Sequence, residues 1–151
     1  METVLLENMR EQDTEALGRN LAAALFDGAF LALYGGLGAG KTAFARALAE
    51  GLGISGVVSP TFTILREYEG RLPFAHFDAY RLNSARELYD IGFEDSLARG
   101  GVIVMEWCEN VTEALPAGRL DIRITGDGDA PRAIALTARG ARHKALLEAI
   151  R

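Results

Sequence analysis

Apolar and polar positions alternate along the chain with two different periods, and the changes of period mark out strands and helices. Val4 to Leu6 predicts a short strand. Leu17, Leu21 and Leu25 recur every four residues, the spacing of one helix face, and Asp27-Gly28 gives a turn and C-cap signal behind them. Phe30 to Tyr34 is a buried strand by its continuous apolar run; Phe44, Leu48 and Leu52 then return to helical spacing, in a helix that ends near Gly51 to Gly53. Phe62 to Tyr68 and Leu72 to Phe77 read as strands joined across Glu69-Gly70-Arg71, close enough for an antiparallel hairpin, which puts Pro73 at an edge or a strand start. Ser84 to Tyr89 is a short helix with Ser84 as N-cap, and Val102 to Met105 is an apolar run suited to a central parallel strand. Leu120, Ile122 and Ile124 alternate with Asp121, Arg123 and Thr125, and the turn Gly126-Asp127-Gly128-Asp129 leads into Arg132 to Thr137 as a second hairpin. His143 to Ile150 closes the chain as a helix. The elements sum to an α/β sandwich on a mixed sheet.

Between the Phe30 strand and the Phe44 helix lies GGLGAGKT, in which Gly35, Gly40, Lys41 and Thr42 fill the pattern G-x-x-x-x-G-K-[ST]. Strand, glycine loop and helix in that order make a phosphate-binding loop. Gly35, Gly38 and Gly40 tolerate positive φ and let the backbone wrap an anion, so the N–H groups of Gly35, Gly36, Leu37, Gly38, Ala39, Gly40, Lys41, Thr42 and Ala43 line a nest for phosphate oxygens. The helix N-terminus adds roughly half a positive charge. Lys41 is placed to contact the β and γ phosphates and the Thr42 hydroxyl to ligate Mg²⁺. The expected fold is therefore a P-loop NTPase-like three-layer sandwich with a mixed, mainly parallel central sheet and antiparallel hairpins.

Composition supports the loop and limits the partners. Among 16 basic residues only Lys41 and Lys144 are lysine, so one of two lysines stands where a compact ammonium fits and a guanidinium crowds. At 151 residues a single domain, 1–151, is expected. The net charge of −5 argues against a protein that holds nucleic acid by itself, DNA included. Cys108 is the only cysteine, which excludes an intramolecular disulfide and suits a reducing compartment. With neither an export signal nor an apolar run near 18 residues, a cytoplasmic location away from membranes is expected.

A nucleotide hydrolase of this type needs an acid at the end of a strand beside the loop strand. Two qualify: Glu106 directly follows Val102 to Met105, and Asp78 follows Phe74 to Phe77. Ser59-Pro60-Thr61 lies where a γ-phosphate-sensing loop would sit, although a plain turn into a strand is the simpler reading of those three residues. His76 reads as a structural histidine. Trp107 suits either core packing or stacking on a base or sugar.

These signals fall in one known order. Thr14-x-x-x-Gly18-x-x-Leu21-Ala22, GGLGAGKT from Gly35 to Thr42, SPTFT from Ser59 to Thr63, HFDAYRL from His76 to Leu82, IGFE from Ile91 to Glu94, and Glu106-Trp107 together resemble the TsaE (formerly YjeE) family. The resemblance runs from Thr14 to Trp107, and the C-terminal third carries no motif. It implies an ATPase required for placing a threonylcarbamoyl group on the adenosine beside the anticodon of tRNA, docking on the TsaB and TsaD pair and meeting tRNA indirectly through that complex. By position it implies phosphate and Mg²⁺ binding by Lys41 and Thr42, metal- and water-positioning roles for Asp78 and Glu106, a switch-like loop at Ser59 and Thr61, and Trp107 near the nucleotide. Gly36 stands where the family usually has an acidic or amide residue, Ala43 where a second Thr is common, and Ala79 where Leu is common; the first two touch the loop, and none of the three departures removes a residue with a proposed chemical role.

The rival reading is a small-molecule kinase using the same loop, but no arginine-rich lid insertion is visible. No Asn-Lys-x-Asp sequence for reading guanine is present either, which disfavours a GTPase. Hydrolysis by the isolated chain is expected to be slow, because P-loop proteins often await a partner's arginine, worth about 10³- to 10⁵-fold in rate.

Overall fold

In the computed structural model, which describes residues 1–150, the apolar runs line up in one seven-stranded sheet. The elements are β1 (Glu2–Met9), α1 (Glu11–Ala22), β2 (Phe30–Tyr34), α2 (Lys41–Gly51), β3 (Leu65–Tyr68), β4 (Phe74–Asp78), α3 (Ala85–Asp90), α4 (Phe93–Arg99), β5 (Val102–Glu106), β6 (Arg119–Thr125), β7 (Arg132–Arg139) and α5 (Ala141–Glu148). Single helical turns at Cys108–Asn110 and Thr112–Ala114 follow β5. Across the sheet the order is β1-β7-β6-β2-β5-β4-β3. The parallel pairings, β6 with β2, β2 with β5 and β5 with β4, occupy the centre, and an equal number of antiparallel pairings forms the two flanks.

Strand alternation separates two cores. Leu31, Leu33, Val104 and Ile122 face Leu21 of α1, Phe44 and Leu48 of α2, and Leu146 and Leu147 of α5. Phe30, Ala32, Phe77, Ile103 and Met105 face the opposite way, onto Leu88 of α3 and Phe93 of α4. Sheet strands buried on both faces explain why β2, β4 and β5 read as unbroken apolar runs. The result is helix, sheet, helix: three layers.

Register sets up the site. Leu33 pairs with Glu106, and Glu106 pairs with Asp78, so the carboxyl ends of β2, β5 and β4 lie in a row. In open α/β sheets that edge is where ligands bind.

Several boundaries differ from the sequence expectation. The first helix stops at Ala22 rather than at Asp27, because the Ala22 carbonyl is taken by the Arg71 guanidinium at 2.5 Å and by the Leu25 N–H at 3.2 Å. Leu25 remains in the core although it is no longer helical. Phe62 to Ile64 is not strand: the Pro60 carbonyl accepts the N–H groups of Thr63 and Ile64, Ile64 takes φ +70°, and Phe62 is 86 % exposed. Leu72 and Pro73 precede β4, and Pro73 lends its carbonyl to the Val102 N–H at 2.8 Å. α4 was not expected; it hangs on one side chain, Phe93, packed edge-on against Phe77 and Phe30 with ring centroids 5.4 and 6.2 Å away.

Candidate functional site

The loop from Gly35 to Gly40 bridges β2 and α2. Gly35, Gly38 and Gly40 take φ of +152°, +77° and +108°. At Gly35 the constraint is also steric, since a Cβ there would lie 2.6 Å from the Ile124 carbonyl oxygen. α2 starts at Lys41 directly behind Gly40, so its unpaired N–H groups open toward the loop.

Lys41 folds back over this loop. Its Nζ donates to the Gly35 carbonyl at 2.5 Å and sits 3.5 Å from the centroid of the Trp107 ring. The side chain is buried, and burial pushes its pKa below the usual lysine value, an effect opposed by Glu106, Glu109 and Asp78. An ammonium held by one carbonyl and a ring face, with its charge penalised by desolvation, is suited to an anion as partner.

The neighbouring residue reaches the sheet. Thr42 Oγ1 donates to Glu106, 3.2 Å from Oε1 and 3.1 Å from Oε2. Glu106 Oε2 lies 2.7 Å from His76 Nε2. One strand further, Asp78 accepts the Tyr80 N–H through Oδ1 at 2.9 Å and the Thr61 hydroxyl through Oδ2 at 3.0 Å. Ser59 Oγ is 2.6 Å from Thr61 Oγ1, so the hydroxyls of Ser59 and Thr61 form a relay ending on Asp78.

A cavity of about 300 Å³ gathers Leu37, Gly38, Ala39, Gly40, Lys41, Thr42, Ala43, Thr61, Asp78, Glu106 and Trp107, together with Tyr80. Of the residues singled out from the sequence, Gly35 and Gly36 lie in an adjoining hollow behind Trp107, and Ser59 reaches the cavity only through Thr61. Trp107 is neither simple core nor free: its backbone is left-handed at φ +61°, and its ring lies between Lys41 and Tyr80.

Sequence reasoning missed a second cleft, of about 440 Å³, on the other side of the loop. It shares Gly38, Ala39, Gly40 and Ala43 with the first, and its far wall is the β6–β7 turn with Arg10 and Gln12. Arg132 binds this turn to the loop: Nε donates to the Ala39 carbonyl at 3.1 Å, and Nη2 to the carbonyls of Gly38 and Gly128, both at 3.2 Å. No spacing in the sequence signals that contact, because Arg132 and Gly38 meet only through the β2–β6–β7 pairing.

The family model described as "Threonylcarbamoyl adenosine biosynthesis protein TsaE" matches residues 8–134. The tRNA threonylcarbamoyladenosine biosynthesis protein TsaE of Bacillus subtilis (strain 168) is 41% identical over 150 residues, covering 98% of this chain and 94% of the relative. The protein of the same name from Treponema pallidum is 42% identical over 121 residues, covering 78% and 90%. Among solved structures, the crystal structure of Bacillus subtilis YdiB superposes with a TM-score of 0.82 at 38% identity, covering 97% of this chain and 93% of that one.

Proposed function

The chain belongs to the TsaE family of threonylcarbamoyl adenosine biosynthesis proteins, and from that premise we propose that it binds and slowly hydrolyses ATP with Mg²⁺ in support of tRNA modification by a TsaB–TsaD pair, in the cytoplasm. It is read as one P-loop ATPase domain. The observation that carries the reading is the Thr42–Glu106 contact at the foot of a loop whose lysine is buried, with no carboxylate paired to it among the described residues.

Two spaces that share the loop as a wall suit the two halves of a nucleotide. The 300 Å³ cavity, with Lys41 and the glycine N–H groups, accommodates the phosphates, and the 440 Å³ cleft beside Arg132 accommodates the nucleoside. Among the described residues, no cluster of three or more His, Cys, Asp or Glu side chains would hold a metal ion unaided. That fits Mg²⁺, which takes hard oxygen donors, keeps waters, and is held by one or two carboxylates together with substrate phosphates. Thr42, Glu106 and Asp78 supply such oxygens. The chemistry such an ion would supply when held there is neutralisation of phosphate charge. Lys41 leaves the Gly35 carbonyl to neutralise the same charge. Asp78, fixed by Thr61 and the Tyr80 N–H, orients the water that attacks the γ-phosphorus as the bond to ADP breaks.

Slow turnover alone is supported by the lining, where Lys41 is the one cation among the described residues. A partner supplying the missing charge would dock on the exposed side chains Leu37 and Tyr80 of the cavity lining, at 74 % and 47 % exposure, and on Phe62, at 86 %, next in sequence to the lining residue Thr61. No helix among the described residues is long and apolar enough to cross a membrane. Family membership takes the ground from the small-molecule kinase alternative.

Titration calorimetry of ATP with Mg²⁺ tests the site. Lys41→Ala is expected to lose detectable binding while its circular dichroism is unchanged, since removing two charge-assisted contacts worth about 1.5–3 kcal/mol each weakens binding by about 100-fold or more. Unchanged affinity would remove the phosphate assignment.

A further inference from the structure

We infer that His76 is a positioning residue for Glu106: its Nε2 fixes Oε2 of the carboxylate and so holds both carboxylate oxygens against the Thr42 hydroxyl, beside which the cation would be held. The inference rests on the Mg²⁺–ATP reading of the site and extends it to a residue outside the cavity lining.

The local geometry is specific. His76 and Asp78 lie on the same face of β4, two residues apart, while Val104 is the register partner of His76. The imidazole therefore leans along the strand pair to meet Glu106 at 2.7 Å. His76 is completely buried and Glu106 only 3 % exposed. A carboxylate taken out of water in this way requires hydrogen bonds, and His76 and Thr42 are the side chains that give them. Oε2 accepts from both, whereas Oε1 meets Thr42 alone, so the two oxygens are inequivalent before any ligand arrives.

The other ring nitrogen argues against a merely structural histidine. Nδ1 is buried and has no hydrogen-bond partner among the described residues. Buried polar atoms in folded proteins are nearly always paired, and an unpaired one calls for a reason. Packed beside Phe74, with ring centroids 6.3 Å apart, this place would accept an apolar side chain without leaving that atom unpaired. What an apolar side chain lacks is the Nε2 contact with Glu106. Ligating carboxylates are commonly held by such outer hydrogen bonds, whose loss weakens metal affinity about 10- to 100-fold.

The test compares wild type, His76→Leu and His76→Gln, because a glutamine amide reaches about as far as Nε2 and donates a hydrogen bond, whereas leucine only fills space. Electron paramagnetic resonance measures the affinity of Mn²⁺ for the complex with a non-hydrolysable ATP analogue, and calorimetry measures metal-free analogue binding as a check on the folded loop. The expected result is an approximately 10- to 100-fold weaker Mn²⁺ site in His76→Leu, metal-free binding unchanged, and recovery in His76→Gln. For hydrolysis, kcat falls and KM for ATP holds. Wild-type Mn²⁺ affinity in His76→Leu would overturn the inference, as would equal loss in a folded His76→Gln. Should His76→Leu fail to fold, His76→Asn, whose amide falls short of Glu106, takes its place with the same expected loss. A wild-type chain that binds no Mn²⁺ beside the analogue would instead overturn the underlying reading of the site.

Discussion

Thr61 acts on the site through a single hydrogen bond, and its removal separates binding from turnover. Its hydroxyl donates to Asp78 Oδ2 and is itself braced by Ser59. Thr61→Ala is expected to keep ATP affinity, which depends on Lys41 and the loop amides, while single-turnover hydrolysis falls about tenfold or more as Asp78 loses its orientation. Equal loss of affinity and rate would instead place Thr61 among the primary phosphate contacts. Gly35 tests the loop itself. Its backbone passes so close to Ile124 that Gly35→Ala forces a shift, expected to cost about 1–3 kcal/mol of stability in urea unfolding. A variant as stable as wild type would mean that β2 and β6 separate easily at this point. Lys41, Thr42, Asp78 and Glu106 were legible because their chemistry is tied to a short motif or to the end of an apolar run. Arg132 was not, since its value lies in carbonyl groups brought to it across two strand pairings.

At the scale of elements, β2 connects the loop at one end to α5 at the other. The Phe30 N–H donates to His143 Nε2 at 3.1 Å, which requires an unprotonated nitrogen there. Burial, with Arg142 adding to it, pushes the His143 pKa below its ordinary value of 6.5. A histidine depressed on folding binds its proton more readily in the unfolded chain, so its stabilising contribution is complete above pH 6.5 and is lost as the pH falls toward the folded value. The urea midpoint is therefore expected to drop between pH 7.5 and pH 5.5, and the drop to shrink in His143→Gln, whose carbonyl oxygen accepts from Phe30 without titrating. A drop unchanged in that variant would assign the acid sensitivity elsewhere. The strands and helices that surround this contact were readable from periodicity, β2 to the residue. Two errors fell where long-range partners decide the backbone, the Arg71 guanidinium on Ala22 ending α1 early and the pocket between Phe77 and Phe30 making a helix of a segment with one buried aromatic; the third was local, the Pro60 carbonyl holding Thr63 and Ile64 in a turn.

For the whole molecule, a net charge of −5 and a cavity in which Lys41 is the one cation among the described lining residues both fit the proposal that the protein works with a partner. Phe62, exposed at 86 % and next in sequence to the lining residue Thr61, is the side chain chosen to report docking. Phe62→Ser is expected to leave ATP binding by the isolated chain intact and to reduce the stimulation of hydrolysis by the TsaB–TsaD pair; full stimulation would move the docking face away from the mouth. The central claim, that ATP turnover at this loop serves tRNA modification, is tested most directly by one measurement. ATP hydrolysis is followed with the chain alone and with the TsaB–TsaD pair and tRNA, alongside threonylcarbamoyl incorporation, with Lys41→Ala as control. Hydrolysis is expected to be slow for the chain alone and stimulated in the complete mixture, about 10³-fold or more if the partner inserts an arginine, with repeated rounds of modification that Lys41→Ala does not support. Hydrolysis indifferent to the partners, with modification proceeding equally well without the chain, would contradict the claim.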